Sequence, residues 1–263
     1  MELRKQKEKE FANLVRDKSG VDSRGNVKFY SIIRSSQMFM EKWLRARAGA
    51  GKRLLDFACG DGAYSILSSK MGFEVTGIDI SDVSINNANE MALQEDIKNI
   101  RFLVADCEAT EFPDEYFDVI LVAGVLHHLD LEKAFAEMVR ILRPDGEIIC
   151  VEGIADNPLI NYYRRKTPTY RTEWEIDHIL RVRDLKIARQ YFERVEYRFY
   201  HLFTVAAVPF RGTWIFEGLL AVLEALDSLV LRVPLVRTQA WQMIFLLSHP
   251  NKALLKQSSS TLR

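Results

Sequence analysis

The chain has 263 residues, of which 48% are hydrophobic and 27% are charged. This balance fits one large domain, or one domain with an elaborated end, that has a sizeable core and an ordinary charged surface. Lysine plus arginine equals aspartate plus glutamate at 36 each, so no overall field draws the protein to nucleic acid.

Cysteine usage and hydropathy indicate the cellular compartment of the protein. Cys59, Cys107 and Cys150 form neither a disulfide framework nor a paired metal motif, which favours a reducing setting. The first residues are charged and lack the apolar core of a signal peptide. No run of about 18 apolar residues indicates a spanning helix. We therefore predict a cytoplasmic protein.

Two helices are predicted in residues 1–50, which we assign to an N-terminal helical cap. Residues 1–20 are highly charged with a sparse apolar face, and they predict a solvated helix that docks lightly. A glycine- and polar-rich break at 20–26 precedes a more apolar helical pattern at 29–47. This second helix either caps a ligand site or packs on a sheet, and its periodicity fits both.

Strands and helices alternate through residues 51–155. Apolar runs predict strands at 54–56, 74–79, 100–105, 117–122 and 147–152. Helical patterns lie between them at 63–71, 81–94 and 131–142, and a turn is predicted at 143–146. Alternation of this kind predicts an α/β fold, with a Rossmann-like, doubly wound, mostly parallel sheet. We assign 51–155 to this core.

The C-terminal part changes character twice. Residues 156–198 are polar and basic, with tyrosines interleaved, whereas 199–247 are strongly apolar. The apolar stretch is interpreted either as helices that complete the core or a dimer interface, or as a surface for a membrane or a long hydrophobic acceptor. We assign 156–250 to a substrate-pocket or interface extension that completes the fold, and 251–263 to a disordered tail.

Candidate binding residues fall at the carboxyl ends of the predicted strands, where ligands bind in parallel sheets. Asp56 is followed by Gly60 and Gly62, and such a turn lets backbone approach a nucleotide-like ligand. Asp79 ends the second strand, where an acid can accept hydrogen bonds from ribose hydroxyls. Asp106 ends the third and could accept one from an exocyclic amine. A dinucleotide-binding turn fits less well, because Ser65 stands where it requires glycine.

These motifs resemble, in the correct order, those of class I S-adenosylmethionine-dependent methyltransferases, in the small-molecule (methyltransferase type 11-like) branch. Residues 56–62 resemble the glycine motif and 75–81 the ribose motif. Asp106 and Cys107 resemble the pair that reads adenine. The fourth strand with its histidines, 117–129, and the turn before the fifth, 142–146, are also similar. One departure is Ala58, which stands where the family usually has its first glycine, and we expect it to shift the turn slightly.

The resemblance implies S-adenosyl-L-methionine as cofactor and S-adenosyl-L-homocysteine as product. The resemblance implies a set of cofactor-binding residues: Asp56, Ala58, Gly60, Gly62, Asp79, Ile80, Asp106, Cys107 and Ala123. The second predicted helix adds one aromatic candidate, Tyr30, and one basic candidate, Arg34. The sulfonium carries an activated methyl group, so the reaction needs alignment and exclusion of water but no metal. No metal-ligand cluster is predicted.

A general base is needed only if the acceptor is a hydroxyl or a protonated amine. The catalytic candidates are His128 and His127, just after the fourth strand, with His178, His201 and Tyr163 as later options. The competing interpretation of the histidine pair is a loop in which one ring satisfies backbone groups.

The predicted function is methyl transfer to a small or lipid-like acceptor. Two alternatives remain open at this point: a non-catalytic binding protein with the same fold, and a nicotinamide-dependent oxidoreductase. Nucleic acid is an unfavoured partner because the net charge is zero. Peripheral contact with a membrane and a homodimer are both open interpretations of the apolar C-terminal stretch.

Overall fold

The computed structural model describes residues 2–16, 27–167 and 172–254. The break predicted at 20–26 and most of the predicted tail therefore lie outside the described residues. In the described parts of the chain, no helix is long and apolar enough to cross a membrane.

Seven strands form one sheet. They are β1 (Arg53–Phe57), β2 (Glu74–Asp79), β3 (Ile100–Val104), β4 (Phe117–Ala123), β5 (Leu142–Gly153), β6 (Phe192–Tyr200) and β7 (Gln242–Pro250). Their order across the sheet is β3-β2-β1-β4-β5-β7-β6. The first five strands are parallel, while β7 is antiparallel to β5 and to β6. The strand order reverses between β1 and β4, and ligands of such sheets bind beside that reversal.

The helices of the described chain are α1 (Leu3–Val15), α2 (Arg34–Arg45), α3 (Ala63–Lys70), α4 (Asp82–Gln94), α5 (Leu131–Ile141), α6 (Pro158–Lys166), α7 (Glu173–His178), α8 (Leu185–Tyr191), α9 (Phe216–Val230) and α10 (Pro234–Arg237). Ser81 is the N-cap of α4, as its position in the sequence predicts, and its hydroxyl accepts from the amide of Ser84 at 3.0 Å. The second predicted helix is divided: a 3-10 segment, Val27–Ile32, precedes α2.

The side chains of the central strands alternate between two buried clusters. In β4, Ile120 and Val122 pack on one face with residues of α5 and α8, while Val119 and Leu121 pack on the other with α2. Because both faces of the sheet are covered, most positions of the central strands are buried. Their sequences are therefore nearly continuous apolar runs. The sheet prediction is confirmed, and α2 packs on the sheet.

Two expectations about local structure need correction. The predicted turn at 143–146 lies inside β5, where the pairing with β4 jumps from Leu142 with Phe117 to Glu147 with Val119, so the turn residues are looped out of the register. The strands β6 and β7 were not predicted. In β6 the charged residues of Phe192–Tyr200 hide an alternating pattern, and β7 is a short apolar run, whose periodicity does not separate strand from helix.

Candidate functional site

The turn after β1 has positive φ at every second residue: 63° at Ala58, 52° at Gly60 and 81° at Gly62. The amide of Cys59 donates to the carbonyl of Ile78 at 2.8 Å and ties the turn to β2. A Cβ atom on Gly62 would lie 2.7 Å from Cζ of Phe102. That position therefore requires glycine for space as well as for backbone conformation.

Ala58 adopts the left-handed conformation that the family's usual glycine would adopt freely. For a residue with a Cβ atom this conformation costs about 1–2 kcal/mol. The turn is tied to β2 with Ala58 in this strained conformation, and the slight shift expected from alanine at this position stays a prediction.

Asp56 is buried near the end of β1, with 2% of its surface exposed. Its Oδ2 accepts a hydrogen bond from the hydroxyl of Ser65 at 2.5 Å. Burial raises the pKa of Asp56 to about 7; the bond from Ser65 opposes this, and the charge of Asp79 adds to it. Ser65, which argued against a dinucleotide turn, thus has a defined partner.

Asp79 fixes the turn from the end of β2. One carboxylate oxygen accepts from the amide of Gly60 at 3.0 Å and the other from the amide of Ser81 at 2.9 Å. Burial raises the pKa of this carboxyl group above its ordinary value, against the effect of the two amides. Each oxygen keeps a second lone pair for a ligand hydroxyl. Ile80 follows and is half-buried.

The end of β3 is covered by two basic side chains of α1. Lys5 Nζ lies 2.6 Å from Oδ2 of Asp106 and 2.8 Å from Oε2 of Glu108. Arg4 pairs with the other oxygen of Glu108 at 2.5 Å. Cys107, between the two acids, is buried, and burial raises the pKa of its thiol.

The helix α1 therefore spans the edge of the sheet at which the predicted cofactor residues lie. Further along it, Lys9 pairs with Asp82 at 2.7 Å and Asn13 accepts from the hydroxyl of Ser81 at 2.6 Å. No residue of α1 is buried, so polar contacts hold this helix in place. These contacts correct the expectation of a lightly docked, solvated helix. Charged side chains that the sequence pattern assigned to solvent pair instead with residues at the strand ends.

The histidine pair follows β4 in a 3-10 turn, Leu126–His128, after Ala123 at the strand's end. Nδ1 of His127 lies 2.9 Å from Oε2 of Glu152, at the end of β5. The other oxygen of Glu152 accepts from the amides of Val125 and Leu126, both at 2.8 Å. A fully buried carboxylate thus holds both the loop and the ring of His127.

His127 also faces Glu175 of α7, whose Oε1 is 3.8 Å from Nε2 of the ring. Burial by itself lowers the pKa of His127, but the hydrogen bond and charge of Glu152, with the charge of Glu175, outweigh it. The pKa of His127 therefore lies above its ordinary value. Because Glu152 accepts at Nδ1, the neutral ring has Nε2 as its proton acceptor.

His128 is bound from the opposite side by α1. Its Nδ1 lies 2.9 Å from Oε2 of Glu8, and its carbonyl accepts from Arg4 at 2.7 Å. Thr172 donates its hydroxyl to the other oxygen of Glu8 at 2.6 Å. The rings of the two histidines are 4.3 Å apart, so α1, the loop after β4 and α7 meet at this pair.

His127, His128 and Glu175 could together hold a metal ion, since one ligand atom from each lies within 4.8 Å of the others. Ligand atoms around tetrahedral zinc lie about 3.4 Å apart, as bonds of about 2.0–2.1 Å to nitrogen require. The cluster would have to contract to bind one. The expectation that the reaction needs no metal stays a prediction.

The structure does not bring Arg34 together with the strand-end acids. Its guanidinium pairs with Glu217 at 3.0 Å and with Glu224, both on α9. Tyr30 is 53% exposed; burial raises the pKa of Tyr64 to about 12, and the electrostatic effects of Tyr30 and Asp56 add to that rise. The cofactor roles of Tyr30 and Arg34 stay predictions.

The later base candidates lie among other partners. His201 is buried between the hydroxyls of Ser36 at 2.8 Å and Thr204 at 3.1 Å, and burial lowers its pKa to about 4. His178 stacks on Trp174 and faces its carbonyl. Tyr163 packs edge-on against Phe29.

Sequence reasoning missed the carboxylates around the histidines. Glu152 could have been found, because it stands at the end of the fifth predicted strand, as the three aspartates do at theirs. Glu8 and Glu175 carry no such signal, since only the fold brings α1 and α7 to the loop after β4.

Comparison with known proteins supplies the family. A family model described as a methyltransferase domain matches residues 55–150. The uncharacterized methyltransferase YcgJ of Bacillus subtilis is 28% identical over 147 residues, which are 55% of this chain and 53% of that protein. The demethylmenaquinone methyltransferase of Thermus thermophilus is 36% identical over 106 residues, 39% of this chain and 48% of that protein. The chain thus spans about half the length of these curated relatives.

Among solved structures, the geranyl diphosphate C-methyltransferase of Streptomyces coelicolor has the same fold. It matches with a TM-score of 0.58 and 12% identity over 94% of this chain and 97% of that one. In this chain the match to the methyltransferase domain, residues 55–150, runs from β1 into β5, which are strands of the parallel part of the sheet. Residues 55–150 of the chain thus match a methyltransferase domain, and the chain resembles the class I S-adenosylmethionine-dependent methyltransferases in sequence motifs and in fold.

Proposed function

We propose that this protein transfers a methyl group from S-adenosyl-L-methionine to a small or lipid-like acceptor, releasing S-adenosyl-L-homocysteine. The observation that carries the proposal is the row of acids at adjacent strand ends. Asp56 lies near the end of β1, Asp79 ends β2 and Asp106 follows β3, all within residues that match the methyltransferase domain. Carboxylates in this order suit the amine and hydroxyl donors of an adenosyl ligand.

The residues at the turn fit this cofactor. Gly60 and Gly62 have no side chains and adopt positive φ, which lets the backbone of the turn approach a ligand closely, and Asp79 keeps lone pairs for ribose hydroxyls. When bound, the cofactor supplies a methyl group already activated by the sulfonium. Lys5 pairs with Asp106 in this structure, so ligand binding at that carboxylate competes with, or rearranges, the contact with α1.

For an acceptor that must lose a proton, we propose His127 as the general base. Glu152 orients the ring through Nδ1, which leaves Nε2 to accept the proton. The carboxylate then stabilises the imidazolium that forms. His128 remains the second candidate, since Glu8 orients its ring in the same way.

The acceptor class rests on relatives and on the extension around the core. Two matched proteins are named for demethylmenaquinone and geranyl diphosphate, small molecules that carry hydrocarbon groups. We infer an acceptor of that physical kind, and a cytoplasmic location with peripheral contact to a membrane. A homodimer is the other interpretation of the apolar C-terminal surface.

Calorimetry separates the oxidoreductase from the two functional classes that bind S-adenosylmethionine. We expect S-adenosylmethionine to bind the wild-type protein and NAD not to bind. Asp79→Asn should weaken cofactor binding about tenfold or more, because it removes a charged acceptor. Asp145→Asn, at an exposed loop position, is the matched control.

Turnover is then measured as S-adenosylhomocysteine formed with a panel of hydroxylated quinones and isoprenoids. His127→Ala should lower kcat/KM tenfold or more on a hydroxyl acceptor. Cofactor binding without any turnover across the panel would favour the non-catalytic alternative, and binding of NAD alone would favour the oxidoreductase.

A further inference from the structure

The helix α9 and its flanking turns expose large apolar side chains to a degree unusual for a folded surface. Trp214 is 94% exposed just before the helix, and Leu235 is 86% exposed just after it. On the helix itself Val222 and Leu229 are also exposed. Isolated exposed apolar residues need no explanation, but a set of them on one element marks an interaction surface.

The exposed residues on the helix itself share one face of α9, while Trp214 precedes the helix and Leu235 lies on α10. The exposed small and apolar positions recur at helical spacing: Gly218, Ala221, Val222, Ala225 and Leu229. The opposite face is packed, with Leu220 in a core cluster and Asp227 accepting from the amides of Leu202 and Phe203. The helix is thus held to the protein by one side and leaves its apolar side uncovered. We call this side, with Trp214 and Leu235, the α9 face.

The charges around the α9 face are arranged by sign. The two glutamates on the helix, Glu217 and Glu224, are both paired with Arg34 of α2. At the two ends of the helix lie exposed arginines, Arg211 and Arg232, and neither forms an ion pair with another described residue. The border of the face therefore carries two acids that share one arginine, and two arginines that have no carboxylate partner among the described residues.

We propose that the α9 face is a membrane-docking surface, and that its occupant is the surface of a bilayer that contains anionic lipid. An apolar helix face lying in the interface, an exposed tryptophan at its end and flanking arginines are the elements of such docking. The cations are attracted to the negative surface potential of an anionic leaflet. Docking would bring the enzyme to a lipid-like acceptor, so the biological purpose rests on the proposed function, while the binding itself does not.

This surface also gives Arg34 a role that its sequence position did not indicate. Its guanidinium offsets one of the two negative charges of these glutamates, which would otherwise repel an anionic leaflet more strongly. Replacing Arg34 should therefore weaken vesicle binding by way of those glutamates.

The test is cosedimentation of the full chain with vesicles of phosphatidylcholine, with or without phosphatidylglycerol. We expect binding to the mixed vesicles that weakens with salt. Leu229→Ser and Trp214→Ser should each lower vesicle affinity about tenfold, the loss of one large buried side chain. Leu93→Ser is the matched control, because Leu93 is 81% exposed on α4, away from this face, and should change nothing.

Charge variants test whether the charged residues around the α9 face determine its preference for anionic lipid. Arg211→Gln with Arg232→Gln should abolish the preference for phosphatidylglycerol, and Arg34→Gln should weaken binding unless Glu217→Gln and Glu224→Gln are added. Sedimentation velocity is run on the same proteins. The proposal is overturned if vesicles are not bound, if Leu93→Ser weakens binding as much as Leu229→Ser, or if the wild type is a dimer that Leu229→Ser dissociates. Calorimetric titration with S-adenosylmethionine reports separately on the proposed enzyme function.

Discussion

Oε2 of Glu152 lies 2.9 Å from Nδ1 of His127, while the other oxygen of the same carboxylate holds two backbone amides of the loop. The ring and the loop are therefore positioned by one buried group that comes from a neighbouring strand. This relationship makes His127 the better-supported base of the histidine pair, and it has a measurable consequence for pH dependence.

Replacing Glu152 by glutamine should lower the pKa of His127. In the wild type Glu152 holds this pKa above its ordinary value, so activity that needs the neutral ring is lost as pH falls through the raised pKa. Without the carboxylate charge, burial lowers the pKa, and the acidic limb of the kcat/KM profile should move to lower pH. Glu147→Gln, on the same strand but paired with Arg47, should leave the limb in place. An acidic limb that does not move in Glu152→Gln would exclude His127 as the base.

Ala58→Gly should stabilise the fold, because it releases the left-handed strain at φ 63°. The strain of about 1–2 kcal/mol is partly offset by the greater entropy of glycine in the unfolded chain, so the net gain should be about 0.5–1 kcal/mol. Urea unfolding measures it. Ala63→Gly, in the first turn of α3, should instead destabilise by about 1 kcal/mol. Equal losses in both variants would contradict the strain at Ala58.

Gly62→Ala should destabilise more than Gly72→Ala. Both glycines have positive φ, but a Cβ on Gly62 meets Phe102 at 2.7 Å, whereas nothing lies within 4 Å of one on Gly72. The backbone penalty alone is about 1–2 kcal/mol, and the clash should add about 1–3 kcal/mol, as overpacking does. The comparison is made by denaturant unfolding. A similar loss in the two variants would show that Phe102 moves aside freely.

Asp56 should make the fold less stable as pH rises. Its folded pKa is raised to about 7 from 3.8, so between these values the folded protein keeps a proton that the unfolded chain has released. Stability from this group is thus full below pH 3.8 and declines as pH rises to about 7, by up to about 4 kcal/mol. Asp56→Asn should flatten the stability difference between pH 5 and pH 7 in urea unfolding. A slope unchanged by the substitution would mean that other groups, such as Asp79, account for it.

Much of the core could be predicted because its signals are local. Buried parallel strands read as apolar runs, and each ends in a polar residue that marks the ligand edge, as Asp56 and Asp79 do. The strands β6 and β7 could not be predicted, because their pairing depends on the tertiary structure. Charged residues obscure the alternation of β6, and a short apolar run such as β7 fits helix or strand. Arg34 shows the same limit, since its glutamate partners lie on α9, far along the chain.

The amino-acid sequence by itself determined the resemblance to the methyltransferase family, the parallel core and the order of the acids at the strand ends, because spacing along strands and turns is fixed by backbone geometry. Only the tertiary structure decided which groups meet. It brought Glu152, Glu175 and Glu8 to the histidine pair, laid α1 across the strand ends and left one side of α9 uncovered. These contacts join residues that are distant in sequence, and the free energy that selects them comes from burial and charge pairing across the whole fold.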